Sequence, residues 1–517
     1  MTADVVIADV VIAGGGPNGL MLAAELRLAG ARPVVLERLP ERSGALKANG
    51  LMGQIVRLVD RRGLYERLSG HPGPPPPSGH FLFAGLPLDL TDLADNPVHA
   101  LPVPQRRLEE VLEERAQELG AEIRRGHELL GYTQDDEGVD VEVAGPDGTY
   151  SLRARYLVGA DGAHSPVRKG CGIGFPGVTD DRRTLRMAHA TVPAAWLDPA
   201  TGGLTVPGHG TVLPFVGVRT ENGGFNYAPL PGHPPTIATT EWDQPEPDGP
   251  LTLDELRASI RRVLGVDVPI EPPAGAGPHL CTRLTHDNTR LAERFRSGRV
   301  FLVGDAAHVY AQGGSGLNLG MQDAANLAWK LAAAVRGDAP DGLLDTYDTE
   351  RRAAAMRIVM YAEAVSALLA PGREVTALRE LFGELMRDRA TRQRLADLTA
   401  GADVRYEMGD DGPLTGRFAP ELVLRTDSGR SRLADLAVTA RPLLLDLTPD
   451  GSATAVLSDE DDRVDVVRGS ADHVGVTALL LRPDGYVAWS TAAPDPDAGG
   501  LRRALERWFG SSKLSFQ

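Results

Sequence analysis

From Val10 the chain reads VVIAGGGPNGLMLAAELRLAGARPVVLER, an apolar run, a glycine corner, an amphipathic stretch through Leu28, a stop at Gly30, and a second apolar run ending in an acid. Apolar runs flanking a segment of helical spacing predict strand, helix, strand, a βαβ unit. The tetrad VVIA occurs twice, at Val5 to Ala8 and at Val10 to Ala13, and only the second copy abuts the glycines. The first is therefore expected to be an N-terminal extension. Further on, GHPGPPPPSGH at residues 70 to 80 reads as a proline-rich connector, and LRARYLVGADG as a strand ending in an acid and a glycine.

Between about 180 and 280 the pattern changes to many Gly and Pro punctuators around short β-like runs, TVLPFVGV and GGFNYAPL among them. This predicts a separate antiparallel sheet. RVFLVGDAAH then repeats the strand-plus-Gly-Asp theme, and GLNLGMQDAANLAWKLAAAVRG is a long helix closed by Gly337. Residues 338 to 400 read as helical and GADVRYEMGDDGPLTG as a linker. In the last stretch, VTALLLRPDGYVAWS gives two strands around Pro483, Asp484 and Gly485, followed by the helix LRRALERWFG. The expected division is a discontinuous α/β domain (1–180 and 281–400, with a helical tail), an inserted sheet domain (181–280) and a smaller αβ domain (417–517).

The 517 residues accommodate two or three domains. With 42% hydrophobic and 24% charged residues the composition is that of a soluble globular protein, and no run of about 18 apolar residues is present to span a bilayer. The N-terminus lacks a basic region before an apolar run, so it reads as a strand and not as a signal peptide. A cytoplasmic protein is expected. The net charge of −16 opposes attachment to nucleic acid or to anionic membranes and leaves a small molecule as the expected partner. The two cysteines, Cys171 and Cys281, are far apart and lack metal-ligand spacing. Neither a disulfide framework nor a metal site is expected, and both are read as buried thiols.

Gly14, Gly16 and Gly19 form a GxGxxG corner between strand and helix. The first permits the tight turn, the second lets a pyrophosphate approach the backbone, and the third lets helix pack on strand. Pro17 and Asn18 lie in the same turn, where the helix N-terminus favours an anion through its unpaired N–H groups and dipole. Glu37, 23 residues after Gly14 and followed by Arg38, ends the next strand, where an acid can accept hydrogen bonds from both ribose hydroxyls. A glycine-rich turn without a ligand is the bland alternative.

With GGGPNG and Glu37, VGADGAHSPVRK with Asp161 and Gly162, and FLVGDAAHVYAQGGSGLNLGMQDAANLAWKL with Gly304 and Asp305, the chain resembles the flavin-dependent aromatic hydroxylases. That group is typified by para-hydroxybenzoate hydroxylase and by polyketide and rifampicin monooxygenases. The C-terminal RPDGYVAW is similar to the tail domain of the polyketide-hydroxylase branch. The resemblance implies an α/β fold with a Rossmann-type FAD-binding domain, an inserted antiparallel-sheet substrate domain and a thioredoxin-like C-terminal domain. It implies tight, noncovalent FAD, transient NADPH or NADH, and O2, used to hydroxylate an aromatic or polyketide substrate in antibiotic biosynthesis or modification. A homodimer is a further expectation.

Residue by residue, the resemblance gives Asp305 a ribitol hydroxyl, lets the backbone at Gly313, Gly314 and Gly316 approach the ring, and sets the amides of Leu317 and Asn318 against the reduced flavin. It gives Asp161 a role toward flavin and nicotinamide nucleotide, although Ser165 and Pro166 also form a good helix start there. Gln105 stands where the family places a glutamine on the phosphate–ribitol region, and Lys47 where relatives have an arginine on the pyrophosphate. Phe215, Asn226 and Tyr227, on the sheet expected to cover the flavin, are candidate substrate contacts or ordinary sheet packing. No side chain is assigned as catalytic, because the flavin carries the chemistry; His308 is read as structural and Trp329 as core. Two departures stand out: Tyr310, Ala311 and Gln312 replace the usual loop prolines, and Gln54 stands where this branch often has arginine. A Baeyer–Villiger or epoxidising enzyme on the same fold is the main alternative, and a non-catalytic flavin-binding regulator a more distant one.

Overall fold

The structure, a computed structural model, describes residues 7–43, 50–229, 234–245, 247–275, 277, 279–311, 316–427, 429–457, 462–472 and 475–511. Strand β1 (Ile7–Ala13) leads through the glycine corner into helix α1 (Pro17–Leu28) and strand β2 (Pro33–Glu37). The first VVIA copy is not an extension, as its last residues open β1 and Ala8 is buried opposite Ala154. Asp9 between the copies is tolerated because its carboxylate accepts the Arg32 N–H at 2.8 Å. Helix α2 (Gln105–Glu118) then precedes strand β3 (Glu122–Arg125), and the long β4 (Gly148–Gly159) follows.

The inserted region folds into strands β5 (Arg183–His189), β6 (Val218–Thr220), β7 (Gly223–Ala228) and β8 (Thr236–Trp242), helix α3 (Leu253–Leu264) and strand β9 (Cys281–Leu284). They pair antiparallel in the order β6-β7-β8-β5-β9. The run TVLPFVGV is not one strand. Val216 N–H closes a turn onto Leu213 O at 3.1 Å, with Pro214 fixing the second position and Phe215 forced to φ 64° at the third. That is type II turn geometry, in which the third position usually holds glycine. Cys281 lies on the edge strand β9 and is exposed, and Cys171 is half-buried, so the expectation of two buried thiols fails.

Strand β10 (Asp287–Leu291) leads back to β11 (Val300–Leu302), which completes a parallel sheet in the order β11-β4-β1-β2-β3. Helices α4 (Gly316–Arg336), α5 (Asp345–Leu369), α6 (Arg373–Leu385) and α7 (Arg389–Ala400) follow. Among the described residues no single helix is long and apolar enough to cross a membrane.

The stretch 401–416 has no regular structure, yet it is packed and not solvated: Tyr406 and Met408 are buried in the main core. Beyond it, β12 (Leu443–Asp446), β13 (Asp465–Arg468), β14 (Ala478–Leu481) and β15 (Val487–Thr491) form a sheet in the order β13-β12-β14-β15. The β12–β13 pair is parallel and the others antiparallel. Helix α8 (Ala498–Phe509) packs its Leu501, Leu505 and Trp508 into the core.

Candidate cofactor and substrate site

Three corners at the C-terminal ends of the parallel strands meet at one place, where open α/β sheets bind ligands. At the first, Gly14 adopts φ 111°, and a Cβ there would stand 2.3 Å from Ala160 O. A Cβ on Gly19 would stand 2.0 Å from Gly14 O, so only glycine allows α1 to start this close to β1. Gly16 differs: nothing lies within 4 Å of its Cβ position, and no side chain caps α1, which begins at the buried Pro17. This leaves an open helix N-terminus suited to a phosphate. Glu37 closes the far side, its carboxylate accepting from Gly15 N–H at 2.7 Å and from Leu39 N–H at 2.9 Å. Arg38 is exposed beside it.

At the third corner, Gly304 has φ 61°, and its missing side chain leaves room for the Asn18 amide, 1.9 Å from the Cβ position. Asn18 Oδ1 is buried without a hydrogen-bond partner. Asp305 is exposed at the end of buried β11, and the Cβ position of Gly316 lies 3.8 Å from its carboxylate. Leu317 and Asn318 open α4, and Asn318 Oδ1 accepts Met52 N–H at 3.1 Å. The Glu37 carboxylate, the open α1 terminus, the unsatisfied Asn18 oxygen and the exposed Asp305 carboxylate fit an elongated dinucleotide with a ribose at one end, phosphates in the middle and a polyol beyond them. Lys47, Gly313 and Gly314 lie outside the described residues.

Asp161 at the second corner serves the protein itself: Oδ2 accepts Val167 N–H at 3.0 Å at the start of the short helix Pro166–Gly170, where Ser165 accepts Arg168 N–H. Its other oxygen is buried without a partner, and burial raises the carboxyl pKa. Gln105 opens α2, and its Nε2 donates to Glu109 at 2.8 Å. In the loop that lacks prolines, the Tyr310 ring stacks on His308 with centroids 5.3 Å apart and Ala311 N–H donates to Thr289 Oγ1 at 3.2 Å. Ring stacking and a strand side chain thus anchor what proline would have stiffened. Gln54 is buried and accepts from Arg57 at 3.3 Å.

The antiparallel sheet is covered on one face only. Along β7 and β8 burial alternates, with Phe225, Tyr227, Ile237 and Thr239 buried toward α3 and Gly224, Asn226, Ala238 and Thr240 half-open on the other face. That second face lines a cavity of about 370 Å3, whose wall includes Phe215, Asn226 and Trp242. Tyr227 therefore does not face the cavity; it is 3% exposed in the α3-side core. Strand β10 joins cavity to corner, since Asp287 at its start pairs with Arg183 of the cavity wall while Thr289, on the same face, holds Ala311.

Sequence reading missed the residues that hold the corners together. Arg168 bonds Ala306 O and Ala163 O, both at 2.8 Å, and stacks on Phe175 at 3.8 Å, tying the second corner to the third. Buried Asp323 accepts Gly304 N–H at 3.1 Å, His308 Nε2 at 2.8 Å and Arg351 Nε at 2.7 Å. His308 is fully buried, as its structural reading requires. A signal for Asp323 existed, because Asp323, Asn326 and Lys330 form a polar stripe at helical spacing inside an otherwise apolar helix.

The family described as FAD binding domain matches residues 7–362, and that described as aromatic-ring hydroxylase, C-terminal, matches residues 412–512. The chain is 43% identical over 516 residues, 97% of its length and 99% of the relative's, to the 12-dehydrotetracycline 5-monooxygenase/anhydrotetracycline 6-monooxygenase of Streptomyces rimosus. It is 38% identical over 507 residues, covering 98% and 99%, to a rifampicin monooxygenase of Streptomyces venezuelae. Among solved structures, an anhydrotetracycline hydroxylase from Streptomyces rimosus superposes with a TM-score of 0.85 at 40% identity, covering 98% of this chain and 100% of that one.

Proposed function

Because the chain belongs to the FAD-dependent aromatic-ring hydroxylases, we propose that it is a single-component monooxygenase that uses FAD, NAD(P)H and O2 to oxygenate an aromatic, polyketide-type substrate. The observation that carries this reading is the one-sided sheet, whose uncovered face forms a cavity joined through β10 to the Asp305 loop. FAD, when bound, supplies the two-electron chemistry and the activation of O2. The chain's own residues bind and orient. Gly14, Gly16, Pro17 and the first amides of α1 receive the pyrophosphate, Glu37 the adenosine ribose, and Asp305 the ribitol, while Leu317 and Asn318 present the α4 amides to the ring. Phe215 and Asn226 meet the substrate. The size of the cavity is that of a small-molecule site, and the named activities of the relatives on tetracycline and rifampicin compounds favour a polycyclic guest.

The strand arrangement supports the domain reading. The parallel sheet with its glycine corner is the Rossmann-type cofactor part (1–180 and 281–400), the one-sided sheet the substrate part (181–280), and the mixed β13-β12-β14-β15 sheet a thioredoxin-like unit (417–517). No cysteine follows Cys281, so that last unit does no dithiol exchange.

Purified protein is expected to carry FAD and, with a polycyclic phenol panel, NAD(P)H and labelled O2, to give a product heavier by one oxygen atom from O2. Protein that acquires no flavin, or a product labelled only from water, rejects the reading. Glu37→Gln is expected to weaken FAD binding by about 1.5 to 3 kcal/mol, the worth of a charge-assisted hydrogen bond. Titration of deflavinated protein by flavin fluorescence reads this; an unchanged Kd removes Glu37 from the site.

A further inference from the structure

The cavity wall carries two arginines that form no ion pair with a carboxylate among the described residues. Arg219 on β6 donates Nε and Nη2 to Ala370 O at 2.8 and 2.7 Å, Nη2 also to Gly372 O at 3.1 Å, and Nη1 to Thr376 Oγ1 at 3.0 Å. Arg379 on α6 donates Nη1 to Ala84 O at 2.6 Å and to Leu368 O at 2.9 Å. Every one of these acceptors is neutral. Gly85 leaves space over Arg379, whose Nη2 lies 3.7 Å from the glycine's Cβ position. Both arginines line the cavity, and no aspartate or glutamate does so among the described residues. Burial, and then the Arg219 charge, lower the pKa of Arg379. Four buried arginines elsewhere, Arg62, Arg186, Arg351 and Arg482, each face a carboxylate, whereas Arg61 and Arg168, like this half-buried pair, bond backbone carbonyls; only Arg219 and Arg379 do so at the cavity. Arg183, the third arginine of the cavity wall, has Asp287.

Two fixed guanidiniums repel each other and attract an anion, and a guanidinium offers planar donors suited to oxygen. Glu221, exposed on the turn after β6, acts on Arg219 alone and lies outside the cavity lining. We propose that Arg219 and Arg379 form an oxyanion subsite that takes an ionised phenol or enol oxygen of a polycyclic substrate and fixes which end of it points away from the Asp305 corner. This rests on the reading of the cavity as the substrate site. Asn226, Thr240 and Ser366 on the same wall supply neutral hydrogen-bonding groups, so charge recognition is concentrated at the arginine pair.

The test uses the FAD-loaded full chain with alizarin, a tricyclic phenol whose anion absorbs at longer wavelength, and with its dimethyl ether, which cannot ionise. Ionised alizarin is expected to bind at least tenfold more tightly than its neutral form, so that the anion band of bound dye appears about one pH unit lower than in free solution. Arg219→Gln and Arg379→Gln are each expected to remove most of this shift, and Arg219→Lys and Arg379→Lys to keep part of it, with flavin content unchanged in all four. Glutamine variants that retain the full shift overturn the proposal. So does wild-type protein that binds alizarin no better than the ether, or that binds neither. The measurement needs no turnover, so its failure is distinct from failure of the monooxygenase reading, which rests on labelled oxygen.

Discussion

Arg482→Ala is expected to destabilise the protein by about 3 to 5 kcal/mol, the cost of breaking a buried ion pair from one side. Arg482 is the arginine of RPDG, in the turn between β14 and β15, and its side chain is fully buried. It holds Glu350 of α5 with both terminal nitrogens, at 2.6 and 2.8 Å, and Asp484 through Nε at 3.1 Å. Its guanidinium lies 4.6 Å from the Trp508 ring and 5.3 Å from that of Trp329. Lys330 of α4 meets the same Glu350 at 2.8 Å. Burial alone would raise the Glu350 pKa; Arg482 and then Lys330 outweigh it and hold the carboxyl far below its usual range. Truncating Arg482 leaves Glu350 with Lys330 and Asn326 and takes the buried Asp484 carboxylate's only cationic partner among the described residues, so Asp484 keeps only Asn326 and the Tyr486 N–H. At roughly 2 to 4 °C per kcal/mol for domains of moderate size, the midpoint of thermal unfolding should fall by roughly 6 to 20 °C. A midpoint within about 2 °C of wild type would mean that RPDG does not clamp the C-terminal unit onto the cofactor helices. Arg482→Lys, which keeps the charge and loses the fork, should fall between the two.

The contrast between legible and illegible parts follows sequence distance. Gly14, Gly16, Gly19 and Glu37 could be read because a tight turn, a phosphate approach and a helix–strand contact each demand glycine locally, and the strand end fixes the acid. The two strands about Pro483 and the stop at Gly337 were local too. Tyr227 failed for a different reason. The period of β7 divides Asn226 from Tyr227, but nothing within GGFNYA says which face α3 will cover. The apolar run around Phe215 predicts a strand, whereas Pro214 starts a turn there. The polar stripe of α4 is visible in the sequence, but its meaning lies in Glu350 and Arg351 of α5 and in Arg482 of the turn between β14 and β15. Ile7 and Ala8 of the first VVIA copy likewise belong to β1 because β4 extends far enough to pair with them.

Asp323 connects this hidden framework to the cofactor corner, and Asp323→Ala is expected to be the most damaging change to FAD retention outside the corner itself. The carboxylate holds three donors, of which Gly304 N–H begins the turn that presents Asp305. Losing it leaves the Arg351 guanidinium buried with only Tyr406 Oη and Leu319 O, a penalty of about 3 to 5 kcal/mol. Gly304, at φ 61° against the Asn18 amide, then has no anchor on its helix side. Asp323→Asn keeps the shape and removes the charge, so its cost should be smaller, about 1.5 to 3 kcal/mol. Burial would raise the Asp323 pKa, but Arg351 and then His308 hold it below the usual aspartate value. A carboxyl whose folded pKa is depressed contributes stability above its unfolded pKa, near pH 4, and loses it as pH falls through the folded value. FAD loss traced to this group should therefore appear only on acidification below about pH 4 in the wild type. In Asp323→Ala it should be present at neutral pH, seen as purified protein with substoichiometric flavin and a Kd for FAD raised at least about tenfold, a change of roughly 1.4 kcal/mol. Full flavin occupancy and an unchanged Kd in that variant would show that the corner keeps its shape without its inner anchor.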